Sequence, residues 1–207
     1  MDNKTRNRLL KPLVFLIALW PLIGLLLRGA MGQLGANPIE RITHQTGWWT
    51  LALLMITLAV TPLRKLTGQY WLVQYRRMLG LFAFFYGCLH MLTYVWLDQF
   101  FDAQAIVKDV GKRPFITMGT LSFVLMVPLA ATSTQKAIRR LGKRWQTLHK
   151  LIYASAAAGV VHFLWLVKKD ISEPATFAVV LGLLLGYRVL AAALERRGAQ
   201  RTAAAAD

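Results

Sequence analysis

Three of the four histidines of this chain, His90, His149 and His162, lie inside long apolar stretches, and the fourth, His44, opens another. An ionisable side chain is costly to hold in hydrocarbon, so an intramembrane histidine is a functional-site candidate from the outset. Neutral imidazole is a common axial ligand of haem iron. A b-type haem needs such nitrogens and no covalent tether, and the Cys-x-x-Cys-His attachment motif is absent. The competing roles for each histidine are a hydrogen bond between helices, a packing contact or a proton relay.

Spacing sorts these candidates by depth. His149 and His162 share one apolar stretch and are 13 residues apart. At 1.5 Å per helical residue that is about 20 Å, most of a hydrocarbon core about 30 Å thick. His90 falls late in the stretch that begins after Arg77, so it is expected at the depth of His162 on a different helix. That pair could grip one iron from opposite faces. His149 would lie deeper, and the positions of the His90 helix at its level are Arg76 and Arg77. Arginine is a poor iron ligand but a good partner for a haem propionate or a flavin phosphate. On one ideal helix His149 and His162 would be about 140° apart around the axis, so joint ligation calls for a bulge or for approach from different sides. His44 is expected at a helix start, as an interfacial or capping residue, with contact to a propionate, a quinone or a redox partner as the alternative.

The elements that must hold these residues are membrane helices. The chain has 207 residues, 56% of them hydrophobic, and a mean hydropathy of +0.44. Spanning a bilayer takes about 20 apolar residues. Six stretches qualify, at roughly 10–28, 43–61, 78–97, 115–132, 147–167 and 174–194. The expected fold is an all-α integral membrane bundle of six helices over residues 1–195, followed by a short basic and alanine-rich tail over 196–207. Thr61-Pro62 and Arg113-Pro114 are expected to mark helix ends, and Pro21 and Pro128 to kink helices. The segments 29–42 and 98–113 are the longest outer connections; Trp96, just before the second, and Phe100 and Phe101 within it form an interfacial belt or a docking surface. The first apolar run lacks a convincing cleavage site and reads as a retained helix. Cys88 is alone, which excludes an internal disulfide and favours a packing role.

Net charge is +16. In a soluble protein that would suggest nucleic acid, but here the charge is sorted. The N-terminal arm, the connections around 62–77 and 133–150, and the C-terminal end together carry 18 of the 25 Lys and Arg residues, and the other ends carry 7. Six of the nine acids, Glu40, Asp98, Asp102, Asp109, Asp170 and Glu173, fall on the sparse side. Basic loops stay cytoplasmic, so both termini are expected inside, with the charge serving topology and contact with anionic lipid.

Several motifs fall in a recognisable order. Gly-Ala-Asn-Pro at 35–38 leads to His-Gln-Thr-Gly at 44–47, then Thr-Pro-Leu-Arg at 61–64. Tyr-Arg-Arg-Met-Leu-Gly-Leu at 75–81 leads to Leu-His-Met-Leu-Thr-Tyr at 89–94. Gly-Lys-Arg-Trp-Gln-Thr-Leu-His-Lys-Leu-Ile-Tyr at 142–153 leads to His-Phe-Leu-Trp at 162–165. Up to about residue 195 this resembles the MsrQ (YedZ) family, haem-binding membrane subunits of bacterial periplasmic methionine sulfoxide reductase systems and a branch of the ferric-reductase-like transmembrane domains. The resemblance implies a multi-pass protein of the bacterial inner membrane that carries haem b, one or two, with FMN associated. It implies electron transfer from a cytosolic flavin reductase or the quinone pool to MsrP, a periplasmic molybdopterin-containing catalytic subunit. It marks His90, His149 and His162 as haem-linked. Two-haem relatives carry a histidine pair on each of two helices, whereas this chain has arginine at one inner position. The remaining alternatives are a haem reductase serving ferric iron or quinone, and a non-redox transporter or assembly protein.

Overall fold

A computed structural model describes the backbone of residues 3–204 and the side chains of residues 8–197 and 200. The elements, in order, are α1 (Asn3–Ala30), α2 (Pro38–Thr67), a 3₁₀ turn (Tyr70–Leu72), α3 (Val73–Leu92) continued by a π-helical turn (Thr93–Asp98), α4 (Ala103–Lys112), α5 (Pro114–Ala131), α6 (Gln135–Leu141), α7 (Lys143–Leu148), α8 (Leu151–Leu166) and α9 (Ser172–Ala204). Every element among the described residues is helical. Five segments are long and apolar enough to cross a membrane: Arg8–Ala30, Pro38–Thr67, Tyr70–Asp98, Pro114–Ala131 and Ser172–Arg197. The protein is a multi-pass membrane protein. The expected span at 147–167 is shorter than anticipated, because α8 keeps only 16 residues, a rise of about 24 Å. The tail expected from 196 continues α9 as far as Ala204, and its last residues, 205–207, lie outside the described residues. So does Asp2, and so do the side chains of Lys4, Arg6 and Arg201.

The helix α2 forms the centre. Leu51, Leu53, Leu54, Met55 and Leu58 are buried there against Phe82, Ala83 and Tyr86 of α3, Val160 and Phe163 of α8 and Leu181 of α9. The residues of α1 and α9 that point away, among them Leu13, Ile17, Trp20, Leu183, Val189 and Leu190, form the apolar outer surface that a bilayer covers. The α5–α8 contact is close because its residues are small. Ser122 Oγ donates to the Ser155 carbonyl at 2.8 Å, and Ser155 Oγ donates back to the Ser122 carbonyl at 2.9 Å. A side chain at Gly159 would meet Ser122 Oγ at 3.2 Å and a Leu51 methyl at 3.3 Å. Such small-residue seams replace the hydrophobic driving force that helices lack in lipid.

Prolines behave differently from the sequence expectation in one place. Arg113-Pro114 does divide α4 from α5, but α2 runs through Pro62 to Thr67. Pro62 cannot donate to the Leu58 carbonyl one turn earlier. That carbonyl instead accepts from Arg188 Nη2 of α9 at 2.6 Å, so the helix continues without an orphaned group. It stops at Gly68, whose φ of 70° suits glycine and whose N–H caps the Arg64 carbonyl at 3.0 Å. Next to Pro21 in α1, the Tyr86 hydroxyl donates to the Ala18 carbonyl at 2.9 Å and accepts from Leu22 N–H at 3.1 Å. The 29–42 connection is shorter than expected, since α2 starts at Pro38 with Asn37 as its cap. The 98–113 connection contains α4, capped by Asp102 and tied back through Asp109 to Tyr94 at 3.1 Å and Arg113 at 2.9 Å.

Candidate functional site

The site assembles where α2 meets α3 and α5 meets α8. His90 of α3 points its ring at α2, where Nδ1 lies 2.9 Å from the Thr43 carbonyl. His162 of α8 points its ring at α5, where Nδ1 lies 2.6 Å from the Phe115 carbonyl. A carbonyl oxygen only accepts, so both rings carry their proton on Nδ1 and both keep the lone pair on Nε2. The two ring centres are 6.2 Å apart, with the planes at 71°.

Each imidazole approaches its neighbouring helix over a glycine one turn beyond the accepting carbonyl. A Cβ built on Gly47 would fall 3.0 Å from His90 Cε1 and 3.1 Å from its Nδ1. On Gly119 it would fall 2.8 Å from His162 Nδ1 and 3.0 Å from its Cε1. Thr43 with Gly47 and Phe115 with Gly119 therefore form the same device twice: a carbonyl to fix the tautomer, then a gap to admit the ring. Sequence reasoning picked out the two histidines and missed both carbonyls and Gly119. The available signal was a glycine on each partner helix, and Gly47 sat unrecognised inside the His-Gln-Thr-Gly motif.

The spacing of the two ring centres matches that of two imidazoles on one metal. With metal–imidazole bonds of about 2.0 Å, and ring nitrogens about 1.1 Å from the ring centre, two imidazoles on one ion sit about 6 Å apart, centre to centre. Among the described residues no group of three His, Cys, Asp or Glu residues could hold a metal ion. Two lone imidazole nitrogens suit an iron whose remaining ligands come from its own macrocycle. Cys88 of α3 is half-buried and carries a free thiol.

The other expected site residues are placed apart from this pair. His149 does not sit inside a membrane helix. It caps α7 and, with Lys150, forms the break before α8, so the ideal-helix angle to His162 does not apply. Its ring stacks on Trp145 at 3.9 Å, and its Nε2 is 3.1 Å from Thr132 Oγ1. That hydroxyl donates to the Pro128 carbonyl at 2.6 Å, so Nε2 of His149 is the donor and only Nδ1 keeps a lone pair. Arg76 lies within electrostatic reach of His149 and is half-buried, while Arg77 is exposed. His44 is in the second turn of α2 rather than at its start, and Asn37 does the capping. Its exposed ring meets Phe163 edge-on at 6.0 Å. With Arg28, Arg41, Gln45, Trp48, Trp49 and Glu173 it lines a cleft of about 280 Å³ at the end of the bundle that holds His90 and His162.

Residues 46–160 match the family model described as the ferric reductase like transmembrane component. The chain belongs to the ferric-reductase-like transmembrane family, in its MsrQ branch. That branch rests on similarity to proteins named protein-methionine-sulfoxide reductase heme-binding subunit MsrQ. The protein of that name from Azospira oryzae is 55% identical over 87% of this chain and 78% of its own length. The Bordetella pertussis protein is 54% identical over 93% of this chain and 94% of its own. The Rhodospirillum rubrum protein is 51% identical over 94% of each. The matched region begins at Thr46, one residue before Gly47, and reaches Val160, so it contains both glycines and His90 and stops two residues short of His162.

Proposed function

We propose that the chain is the haem-binding electron-transfer subunit of a methionine sulfoxide reductase system, in which His90 and His162 would hold one haem b. The observation that carries this is the paired Nδ1–H···O=C geometry, which leaves two Nε2 lone pairs on rings 6.2 Å apart. Hydrogen bonding of the distal ring nitrogen to a carbonyl is how metal-bound histidines are commonly oriented. When bound, the haem supplies one-electron redox chemistry; the chain fixes the ligands, excludes water and sets the surrounding field. Buried Phe163 and Tyr86 keep the region between α2, α3 and α8 apolar.

The rest of the reading follows from charge and position. Sorting of Lys and Arg supports six transmembrane helices, α8 included, with both termini cytoplasmic in a bacterial inner membrane. Residues 1–195 then form the haem-binding domain and 196–207 its basic end. His90 and His162 would face the periplasm, where a molybdopterin-containing catalytic subunit, MsrP, is the acceptor and performs the sulfoxide reduction. Electrons would enter at the basic end, from a flavin reductase or the quinone pool, and FMN is the second cofactor of this reading. Arg76 and His149 line that entrance, Arg77 faces outward from it, and His44 lines the exit cleft. With its Nε2 given to Thr132, His149 has no second imidazole facing it, which favours a single haem at the outer pair.

The visible spectrum of the purified protein tests the assignment. Wild type should show a Soret band that shifts on reduction, and His90→Ala or His162→Ala should lose most of it. Full low-spin haem in both variants refutes the pairing, and a colourless wild type after haem-replete expression refutes the cytochrome reading altogether.

A further inference from the structure

The basic end of the bundle holds a second constellation. Arg64 lies in the last turn of α2, Arg76 in the first turn of α3 and Arg188 in α9, and the packing of α2 against both neighbours brings them together. Arg76 is within electrostatic reach of Arg64, Arg188 and Tyr153. All three arginines are half-buried. Arg188 lies over the Tyr153 ring at 5.3 Å and Arg64 over the Tyr70 ring at 5.8 Å, contacts that orient the guanidinium groups without neutralising them. The carboxylate described at this end, Glu195, is already paired with Lys65 at 2.7 Å.

Two features of the cluster are unexplained by the fold. The Nε–H groups of Arg64 and Arg188 are buried and have no hydrogen-bond partner, and leaving a buried donor unpaired costs about 1–3 kcal/mol. Three like charges also converge with no carboxylate among them. Supporting the Leu58 carbonyl accounts for one donor of Arg188 and for none of Arg64 or Arg76. An anion among the three would satisfy the donors and cancel the repulsion together.

We propose that Arg64, Arg76 and Arg188 form a binding site for a phosphate group, supplied either by the headgroup of an anionic lipid or by a soluble phosphate ligand. A planar carboxylate matches one guanidinium fork edge-on. A phosphate presents tetrahedral oxygens and up to two negative charges, so it can accept from forks arriving on three different helices. The position suits both sources, since Arg64 and Arg76 lie at the ends of membrane helices, where headgroups lie, and Arg188 joins them from within α9. The site is independent of the histidine pair, so either assignment can fail without the other.

The test uses delipidated holoprotein in neutral detergent. One arm follows thermal unfolding with inorganic phosphate against chloride and acetate at constant ionic strength. The other follows retention of phosphatidylglycerol against phosphatidylcholine by native mass spectrometry. Arg188→Gln would also strip the Leu58 carbonyl, so Arg64→Gln and Arg76→Gln are the informative variants. A saturable response to phosphate, or preferential retention of phosphatidylglycerol, weakened tenfold or more in both variants, is the expected result, and the responding arm names the source. The proposal is overturned if neither arm responds, if acetate acts as strongly as phosphate, or if both variants bind like wild type. His90→Ala should lose haem yet keep the phosphate or lipid response, which separates this site from the other.

Discussion

Gly119→Ala tests the haem assignment through a residue that would not touch the iron. The new methyl carbon would sit 2.8 Å from His162 Nδ1, 3.0 Å from Cε1 and 3.1 Å from Cγ. Ordinary contact begins near 3.5 Å, so the ring must retreat by about 0.7 Å. Retreat pulls Nδ1 away from the Phe115 carbonyl, now 2.6 Å distant, and swings Nε2 off its axis. Disturbing the hydrogen-bonded support of a metal ligand typically costs 10- to 100-fold in affinity, or about 1.4–2.8 kcal/mol. The helix itself should gain, because alanine is favoured over glycine in a helix by about 1 kcal/mol. Gly47→Ala should act more weakly, its nearest ring atom being at 3.0 Å, and Gly24→Ala, with nothing within 4 Å, serves as the control. The assay is haem retention against a haem-scavenging apoprotein, read with the low-spin spectrum. The expected order of haem loss is Gly119→Ala, then Gly47→Ala, then Gly24→Ala, the last matching wild type. Equal retention in Gly119→Ala and Gly24→Ala refutes the claim that the glycine positions the ligand.

Two further outcomes follow from the packing. Tyr86→Phe removes a hydroxyl bonded to both Ala18 and Leu22 of α1, two groups that can then pair with each other along the helix, so thermal unfolding should show a loss of about 0.5–1.5 kcal/mol, with α1 more open to protease; unchanged stability would show that α1 is held otherwise. Ser155→Ala removes the bond from Ser155 Oγ to the Ser122 carbonyl and leaves Ser122 Oγ on the Ser155 carbonyl, and should cost about 0.5–1.5 kcal/mol in a detergent unfolding titration, the range of interhelical bonds in membranes. A neutral result there would mean that the close packing and the remaining Ser122 bond suffice to hold α5 to α8.

The histidines and the shared level of His90 and His162 were legible because they depend on residue type and helical rise, and both survive any change in packing. The ring pair of His90 and His162 is where that reasoning pointed. Helix boundaries were less legible where a distant side chain decides them. Pro62 reads locally as a stop, and only Arg188, 126 positions later, lets α2 continue. The break at His149 and Lys150 was hidden in a continuous apolar and basic pattern, and it removed both the expected helix phase and four residues or so from the expected span. Glycines on partner helices carry no signal until the facing residue is known, and for that reason Gly119 was passed over.

The repeated device also explains why the two ends of the bundle differ. At the end with His90 and His162, each ring spends its Nδ1 proton on a helix carbonyl and keeps the lone pair on Nε2. At the basic end, His149 spends its Nε2 proton on Thr132, whose own proton goes to Pro128, and its ring lies flat on Trp145. Among the described residues no glycine gap admits it to a neighbouring helix. The unmet demand at that end belongs instead to arginine Nε–H groups, which seek an anion rather than a metal. A chain built this way presents lone pairs at one end and unpaired donors at the other. Substituting Arg76 with histidine would therefore not by itself create a second imidazole pair, because His149 would first have to give up Thr132 and turn away from Trp145. Haem content of Arg76→His, alone and combined with Thr132→Ala, measures this: the single variant should keep the wild-type haem ratio, and a second haem bound by it would show that His149 was free all along.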